Sequence, residues 1–93
     1  MNRNSSIYRE PQSDEIDLHG LIADEALFRL EGFLNDAFMA GLIRVRVVHG
    51  KGTGVLRQAV RQMLKEHPLV EAYFPAVPRE GGGGVTIVVL SRY

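Results

Sequence analysis

Apolar and polar residues alternate in several short stretches of this chain, and the stretches between them repeat apolar residues at the spacing of a helix. Strict alternation is typical of a half-buried strand, whereas apolar residues at intervals of three and four are typical of an amphipathic helix. The pattern predicts strands at about 14–19, 43–49, 69–76 and 85–90, and helices at about 23–40 and 53–66.

Each predicted helix carries one apolar stripe that would face a core. The stripe consists of Leu27, Leu30, Leu34, Ala37 and Phe38 in the first helix, and of Leu56, Ala59, Val60, Met63 and Leu64 in the second. Pro68 cannot continue a helix, so the second helix ends before it. No apolar run in the sequence is long enough to span a membrane.

The order of these elements, β-α-β-α-β-β, predicts a two-layer α/β sandwich. Because strand–helix–strand crossovers are right-handed, two that advance in one direction place both helices on one face of the sheet. The sheet is expected to be four-stranded and mixed, with an antiparallel last strand and an open second face. Residues 14–93 are expected to form this domain, and residues 1–13, which are polar and contain Pro11, a flexible leader or linker.

A glycine-rich turn joins the second predicted strand to the second predicted helix. Its sequence is His49-Gly50-Lys51-Gly52-Thr53-Gly54. Alternate glycines permit a sharp turn and the close approach of a ligand to the backbone. The following helix directs its first N–H groups into the turn and Lys51 adds a cation, so phosphate is the expected ligand. Thr53 is a candidate cap for that helix.

The glycine pattern matches neither a P-loop nor a dinucleotide-binding motif, so a nucleoside triphosphate site is not expected. His49 is a candidate proton carrier, because histidine changes its charge near neutral pH. The alternative is a plain strand-to-helix turn with a buried structural histidine.

The first predicted strand ends in Asp17-Leu18-His19-Gly20. Alternation directs Ile16 and Leu18 toward the core and leaves Asp17 and His19 together on the other face. A neighbouring carboxylate favours the protonated form of a histidine and fixes its tautomer, which suits a general base. The alternative is the ordinary solvated end of a strand.

The predicted topology brings these two segments together. Parallel strands joined by a helix end at the same edge of a sheet, so His19 and the His49 turn are expected to be neighbours. Residues 81–84 are four consecutive glycines before the last strand, which places them at this edge as well. A run of this kind is expected to form a slack loop or a mobile flap, and it is assigned no chemistry.

The 93 residues carry no net charge, but the charge is unevenly divided. Residues 1–40 have three basic and eight acidic side chains, whereas residues 41–93 have eight basic and three acidic ones. The chain has no cysteine, which excludes disulfides and thiolate metal sites and is compatible with a reducing cytoplasm.

Basic residues are expected to surround the glycine turn. Arg57, Arg61 and Lys65 recur every four positions on one side of the second helix, and Arg44 and Arg46 share a strand face. A basic zone of this kind suits a polyphosphate backbone. The alternative is that these side chains simply occupy solvated faces.

Several motifs taken together resemble the Smr (small MutS-related) domain family. They are Asp17-Leu18-His19-Gly20, His49-Gly50-Lys51-Gly52-Thr53-Gly54-Val55-Leu56-Arg57, His67-Pro68-Leu69-Val70, and the glycine run before residues 85–90. The likeness covers residues 14–90 and is greatest to the Smr domain at the C-terminus of the second bacterial MutS paralogue. Ile22 departs from the family, which often has Thr or Ser at this position to cap the first helix.

The resemblance implies nucleic-acid binding, with endonuclease activity in many members that act on branched DNA, messenger RNA or stalled ribosomes. It also implies that the chain is part of a larger MutS-like protein. The catalytic candidates are Asp17, His19, His49 and Lys51. The nucleic-acid-binding candidates are Gly50, Lys51, Gly52, Thr53, Gly54, Arg44, Arg46, Arg57 and Arg61.

For RNA, these residues support a metal-free reaction in which His19 takes the 2′-hydroxyl proton and His49 protonates the leaving oxygen. Lys51 and the helix N-terminus would stabilise the charged phosphorane. DNA lacks the 2′-hydroxyl, so its cleavage would need a divalent metal, and no multi-carboxylate site is visible. The alternatives are a non-catalytic module that docks on nucleic acid or a ribosome, and a protein-interaction domain that uses its acidic first helix.

Overall fold

The computed structural model of the protein describes residues 12–92. The four strands are β1 (Glu15–Asp17), β2 (Arg44–Val48), β3 (Val70–Pro75) and β4 (Val85–Leu90), and the two α-helices are α1 (Ala23–Met39) and α2 (Val55–Glu66). Short 3₁₀ turns at Pro78–Glu80 and Gly82–Gly84 separate β3 from β4. The predicted elements all occur, and the predicted leader at 1–13 lies almost entirely outside the described residues.

The sheet is mixed and has the strand order β1-β2-β4-β3. Strand β1 is parallel to β2, with Asp17 opposite Val48, and β4 lies antiparallel to both of its neighbours. The predicted α/β sandwich with a mixed four-stranded sheet is therefore confirmed. Neither α1 nor α2 is long and apolar enough to cross a membrane.

The main core lies between the helices and one face of the sheet. The predicted stripes supply it: Leu30 and Leu34 from α1 and Val60 and Leu64 from α2 are 0–1% exposed. The strands contribute Val45, Val47, Val88 and Leu90. Burial of each such side chain stabilises the fold by about 1.5–3 kcal/mol.

The second face of the sheet is only partly open, which corrects the expectation. A smaller cluster of Ala76, Val85 and Ile87 is also buried, with Val48 packed against it. Gly81 packs so closely over Val85 that a Cβ would have no room there. The segment between β3 and β4 therefore folds back over the sheet.

Candidate functional site

The glycine turn forms a concave row of backbone N–H groups. Gly50, Gly52 and Gly54 have φ angles of +79°, +35° and +89°, whereas no described residue other than glycine has a positive φ. The sign of φ therefore alternates from residue 50 to residue 54. Such alternation points successive N–H groups to one side of the backbone and forms an anion-binding concavity.

Four consecutive N–H groups of the turn have no acceptor within residues 12–92. This holds for Lys51, Gly52, Thr53 and Gly54. The first turn of α2 adds the N–H groups of Leu56 and Arg57 and contains no acidic side chain. Unsatisfied donors and the positive end of a helix dipole together attract an anion.

The cap of α2 differs from the prediction. Gly54 occupies the N-cap position in a left-handed conformation, and helix α2 starts at Val55. Thr53 accepts a hydrogen bond from the Val55 N–H through Oγ1, but at a long 3.4 Å. The weak cap leaves most of the donors at this helix end available to a ligand.

His49 is buried, at 4% exposure, and both of its ring nitrogens have partners. The Nδ1–H group donates to the carbonyl oxygen of Gly50 at 2.9 Å. Nε2 lies 2.9 Å from the hydroxyl of Thr86, so the neutral ring accepts a hydrogen bond from it.

Burial is the main reason why the pKa of His49 is lowered from its ordinary value. The hydrogen bond to Gly50 acts in the opposite direction, and the charges of Arg61 and Arg57 add to the lowering. The neutral, Nδ1-protonated ring is therefore the form that this environment favours.

The ring of His49 also orients the turn. Because a trans peptide directs its carbonyl and its N–H to opposite sides, holding the Gly50 carbonyl against His49 turns the Lys51 N–H away from the ring. His49 thus supports the turn from the side opposite to the Lys51 N–H group. This position fits the predicted alternative of a buried structural histidine.

The glycine run before β4 packs against the turn and is not slack. The N–H groups of His49 and Gly50 both donate to the carbonyl of Gly84 at 3.0 Å. A Cβ on Gly84 would lie 3.5 Å from the Gly50 backbone, at ordinary contact distance, so the two segments pack directly against each other. Arg57 reaches the carbonyl of Gly83 at 3.4 Å.

The residues that support the turn from the segment before β4 and from β4 itself were not predicted from the sequence. Thr86, Gly83 and Gly84 all contact the turn or its helix through side-chain or carbonyl oxygen. One signal was available, since Thr86 is the only polar residue in the apolar strand β4.

Asp17 and His19 form a solvent-exposed pair. The side chains are 51% and 68% exposed, and Nδ1 of His19 lies 2.6 Å from Oδ1 of Asp17. The same oxygen accepts the His19 backbone N–H at 3.1 Å. The hydrogen bond from the ring, followed by that from the backbone, lowers the pKa of Asp17.

The pairing leaves Nε2 of His19 without a hydrogen-bond partner among residues 12–92. A carboxylate bound to Nδ1 holds the proton there, so Nε2 carries the free lone pair. The pair therefore has the tautomer that a general base requires.

His19 and the glycine turn are neighbours, as the topology predicted. A Cβ on Gly50 would lie 3.4 Å from the Cβ of His19. Strand pairing continues past β1 through a 2.7 Å hydrogen bond from the Leu18 N–H to the Val48 carbonyl. The Cβ of His19 thus lies close to Gly50, which directly precedes the row of unpartnered N–H groups.

A cleft of about 440 Å³ lies at this edge of the sheet, lined by residues 20–23 and 49–57. The starts of both helices therefore face one space. Gly20 and Gly50 line the cleft, and His19 is the neighbour of both, since it precedes Gly20 in the chain and its Cβ lies close to Gly50. The volume is within the range of about 300–1,000 Å³ that is usual for ligand sites.

The predicted arginines divide into two groups. Arg57 and Arg61 lie near enough to His49 to lower its pKa, and the buried Nε of Arg61 has no partner within residues 12–92. Arg46 lies on the opposite face of the sheet, where it pairs with Glu15 at 2.6 Å. Arg44 stacks over Phe74 at 5.6 Å.

Arg44 and Arg46 therefore do not belong to a basic zone at the turn, contrary to expectation. Arg44 is the first residue of β2, whereas the glycine turn follows the last residue of that strand. Because a strand rises about 3.3 Å per residue, Arg44 lies well away from the turn. The guanidinium of Arg46 also donates to the Glu80 carbonyl at 2.9 Å, so it is already used within the fold.

Metal-ligating side chains are sparse in this region. Between residues 12 and 92, no group of three or more His, Cys, Asp or Glu side chains is placed to hold a metal ion.

Comparison with known proteins relates this chain to larger bacterial proteins. The protein named "Endonuclease MutS2" from Thermomicrobium roseum is 58% identical over 76 residues, which are 82% of this chain and 10% of the relative. Its namesake from Clostridium beijerinckii is 53% identical over 75 residues, with 81% and 10% covered. The chain thus spans about a tenth of the length of the curated relatives that it matches.

Solved structures give the same relationship. The Smr domain of Thermus thermophilus MutS2 superposes with a TM-score of 0.84 and 47% identity, covering 85% of this chain and 99% of that one. YdaL, a stand-alone small MutS-related protein from Escherichia coli, has a TM-score of 0.82 at 29% identity, with 94% and 71% covered. The sequence model of the Smr domain matches residues 16–91, and this chain therefore belongs to the Smr domain family.

Proposed function

We propose that this domain binds nucleic acid by a backbone phosphate at the glycine turn and cleaves the adjacent bond with His19 as general base. One observation carries the proposal: the exposed Asp17–His19 pair stands beside a row of unpartnered N–H groups. The turn is the part that would hold the anion, and the free Nε2 is the part that would move a proton.

On RNA the step is an internal transfer. Nε2 of His19 takes the 2′-hydroxyl proton, and the 2′-oxygen forms a bond to phosphorus as the bond from phosphorus to the 5′-oxygen breaks. The products are a 2′,3′-cyclic phosphate and a 5′-hydroxyl, whose proton comes from water. Asp17 holds the His19 tautomer and stabilises the imidazolium that forms.

Lys51 and the N–H groups of the turn stabilise the charge that builds up on the phosphorane oxygens. Lys51 is exposed and makes no ion pair within residues 12–92, so its ammonium group is available to a ligand. His49 keeps the turn in shape. In this proposal its predicted role as general acid is replaced by a positioning role, because its ring is buried and both nitrogens are occupied.

The relatives support this direction, since two of them carry the name "Endonuclease MutS2". Because the chain spans only a tenth of such proteins, we also propose that it acts as one domain of a larger MutS-like protein. We propose that the chain has nuclease activity without the rest of such a protein.

The test uses the purified domain with end-labelled RNA and DNA of the same sequence, with and without EDTA. We expect RNA to be cut in EDTA with a 2′,3′-cyclic end, and a single 2′-deoxy substitution at the scissile nucleotide to stop the cut. Cleavage that EDTA abolishes, or that ignores the 2′-deoxy change, would replace the internal attack with metal-activated water. Binding without any cleavage would assign the domain to a docking role.

Substitution of the pair sharpens the test. His19→Ala should slow cleavage by about 10²- to 10⁴-fold and leave binding nearly unchanged, because His19 is assigned to proton transfer. Asp17→Asn should also slow cleavage, because the charge that orients His19 is lost. His49→Ala is the comparison, and it should weaken binding and cleavage together because it loosens the turn.

A further inference from the structure

The cleft beside the glycine turn is larger and more apolar than a phosphate group needs. The N–H groups line only the turn side of its 440 Å³. The remaining wall consists largely of Leu21, Ile22, Ala23, Val55 and Leu56. A phosphate bound to the N–H groups would make no favourable contact with this apolar wall. A second, less polar part of the ligand would therefore contact it.

Two aliphatic side chains of the wall are strongly exposed. Ile22 is 75% exposed at the N-cap position of α1, and Val55 is 64% exposed at the first position of α2. Each belongs to a different helix, yet both line the same cleft. Covering exposed aliphatic surface is favourable, so the two side chains offer contact area to an apolar or planar group.

The charges at the starts of the two helices differ, and this difference indicates which chemical group suits each side of the cleft. The first turn of α2 has no acidic residue, whereas the first turn of α1 carries Asp24 and Glu25. These carboxylates counteract the positive end of the α1 dipole and disfavour a second phosphate there. The α1 side, where Ile22 stands, therefore suits a neutral group.

We propose that this cleft holds one unpaired nucleobase, packed against Ile22 and Val55, next to the phosphate bound at the turn. The inference rests on the proposed function and adds a substrate class to it: nucleic acid with a single-stranded or extrahelical nucleotide. A base inside a duplex is stacked and paired and cannot enter, whereas a flipped base is held by apolar side chains in a pocket of this kind.

The test measures the affinity of the domain for three duplexes that differ at one position. The first has a single bulged nucleotide, the second has an abasic bulge, and the third is fully paired; each is made as RNA and as DNA. We expect the bulged base to bind roughly 10-fold more tightly than the abasic bulge, because it covers aliphatic surface of Ile22 and Val55 that the abasic site leaves exposed. Equal affinity for the bulged base and the abasic bulge overturns the inference.

Variants identify the cleft as the source of the preference. Serine is a favourable helix cap and alanine a good helix former, so Ile22→Ser with Val55→Ala should keep the fold. This double variant should bind the bulged base no better than the abasic bulge, with unchanged affinity for the latter. Met39→Ser is the control, because Met39 is 81% exposed at the other end of α1 and should keep the preference. A preference that survives in the double variant overturns the inference.

The outcomes also separate this inference from the proposed function. If none of the duplexes binds, both fail. If all three bind equally and Lys51→Ala weakens each of them, the phosphate site stands and the base site fails.

Discussion

The hydroxyl of Thr86 lies 2.9 Å from Nε2 of His49, and this contact ties the last strand of the sheet to the glycine turn. Both side chains are buried. Because Nδ1 of the same ring donates to the Gly50 carbonyl, strand β4, the imidazole and the turn form one hydrogen-bonded chain. The fold itself thereby holds the turn in one conformation, and a preorganised turn would bind an anion at a lower entropy cost.

Loss of the Thr86 hydroxyl should destabilise the domain. In Thr86→Val, Nε2 of His49 stays buried without a donor, and we expect the free energy of unfolding to fall by about 1–3 kcal/mol. Urea unfolding measures this change. Thr86→Ser keeps the hydroxyl and loses the methyl group, so it is the control for the change in packing. A Thr86→Val variant that is as stable as the unchanged domain would show that this hydrogen bond does not contribute.

The stability of the domain should fall on the acid side of neutrality. Burial lowers the pKa of His49 in the folded state, whereas an unfolded histidine has a pKa of about 6.5. Below that pH the unfolded chain takes up the proton first, so the contribution of His49 is complete above about pH 6.5 and decreases as the pH falls. Urea unfolding from about pH 8 to pH 5 should show this decrease. His49→Gln removes the ionisation, and curves of identical shape for the two proteins would contradict the assignment.

Lys51 should contribute a phosphate contact that the other lysine does not. We expect Lys51→Ala to weaken binding of all sequences and to reduce the salt slope of log K by about 0.7–0.9, the value for one contact. Lys65→Ala removes the same charge in the last turn of α2, away from the glycine turn, and should leave the slope nearly unchanged. Titrations at several salt concentrations check both, and equal slopes for the two variants would place the phosphate elsewhere.

Substitutions at two glycines distinguish the effect of backbone strain from the effect of steric crowding. Neither Gly52 nor Gly32 has an atom within 4 Å of a Cβ added there, but Gly52 has a φ of +35° and Gly32 lies within helix α1. Gly52→Ala should cost about 1–2 kcal/mol through strain and reduce nucleic-acid affinity as the turn relaxes. Gly32→Ala should stabilise the domain by about 0.5–1 kcal/mol and leave affinity unchanged. Thermal unfolding and nucleic-acid binding of the two variants measure these changes. An unchanged nucleic-acid affinity of Gly52→Ala would show that the conformation of the turn does not matter for binding.

Much of the fold and part of the site could be predicted from local patterns. Apolar spacing located the helices and strands, because each period suits only one backbone geometry. The parallel pairing of β1 with β2 then brought His19 beside Gly50, since both follow strands that end at one edge. Asp17 and His19 are two residues apart, so their contact also depends on local geometry alone.

The roles of other residues depended on contacts between distant parts of the chain. Thr86 lies 37 residues from His49, and no local pattern relates the two. The glycines before β4 have the composition of a slack loop, yet the carbonyl of Gly84 accepts two N–H groups of the turn. Arg46 has a positive charge that could bind a phosphate, but Glu15 lies opposite it in the sheet and forms an ion pair with it.

The sequence by itself determined which backbone groups face the cleft, because alternating glycines select the sign of φ one residue at a time. Only the tertiary structure decided what each side chain does there. Burial and hydrogen-bond partners come from segments that meet only in the folded state, and these surroundings favour the neutral form of His49 while they leave the side chain of His19 exposed to solvent.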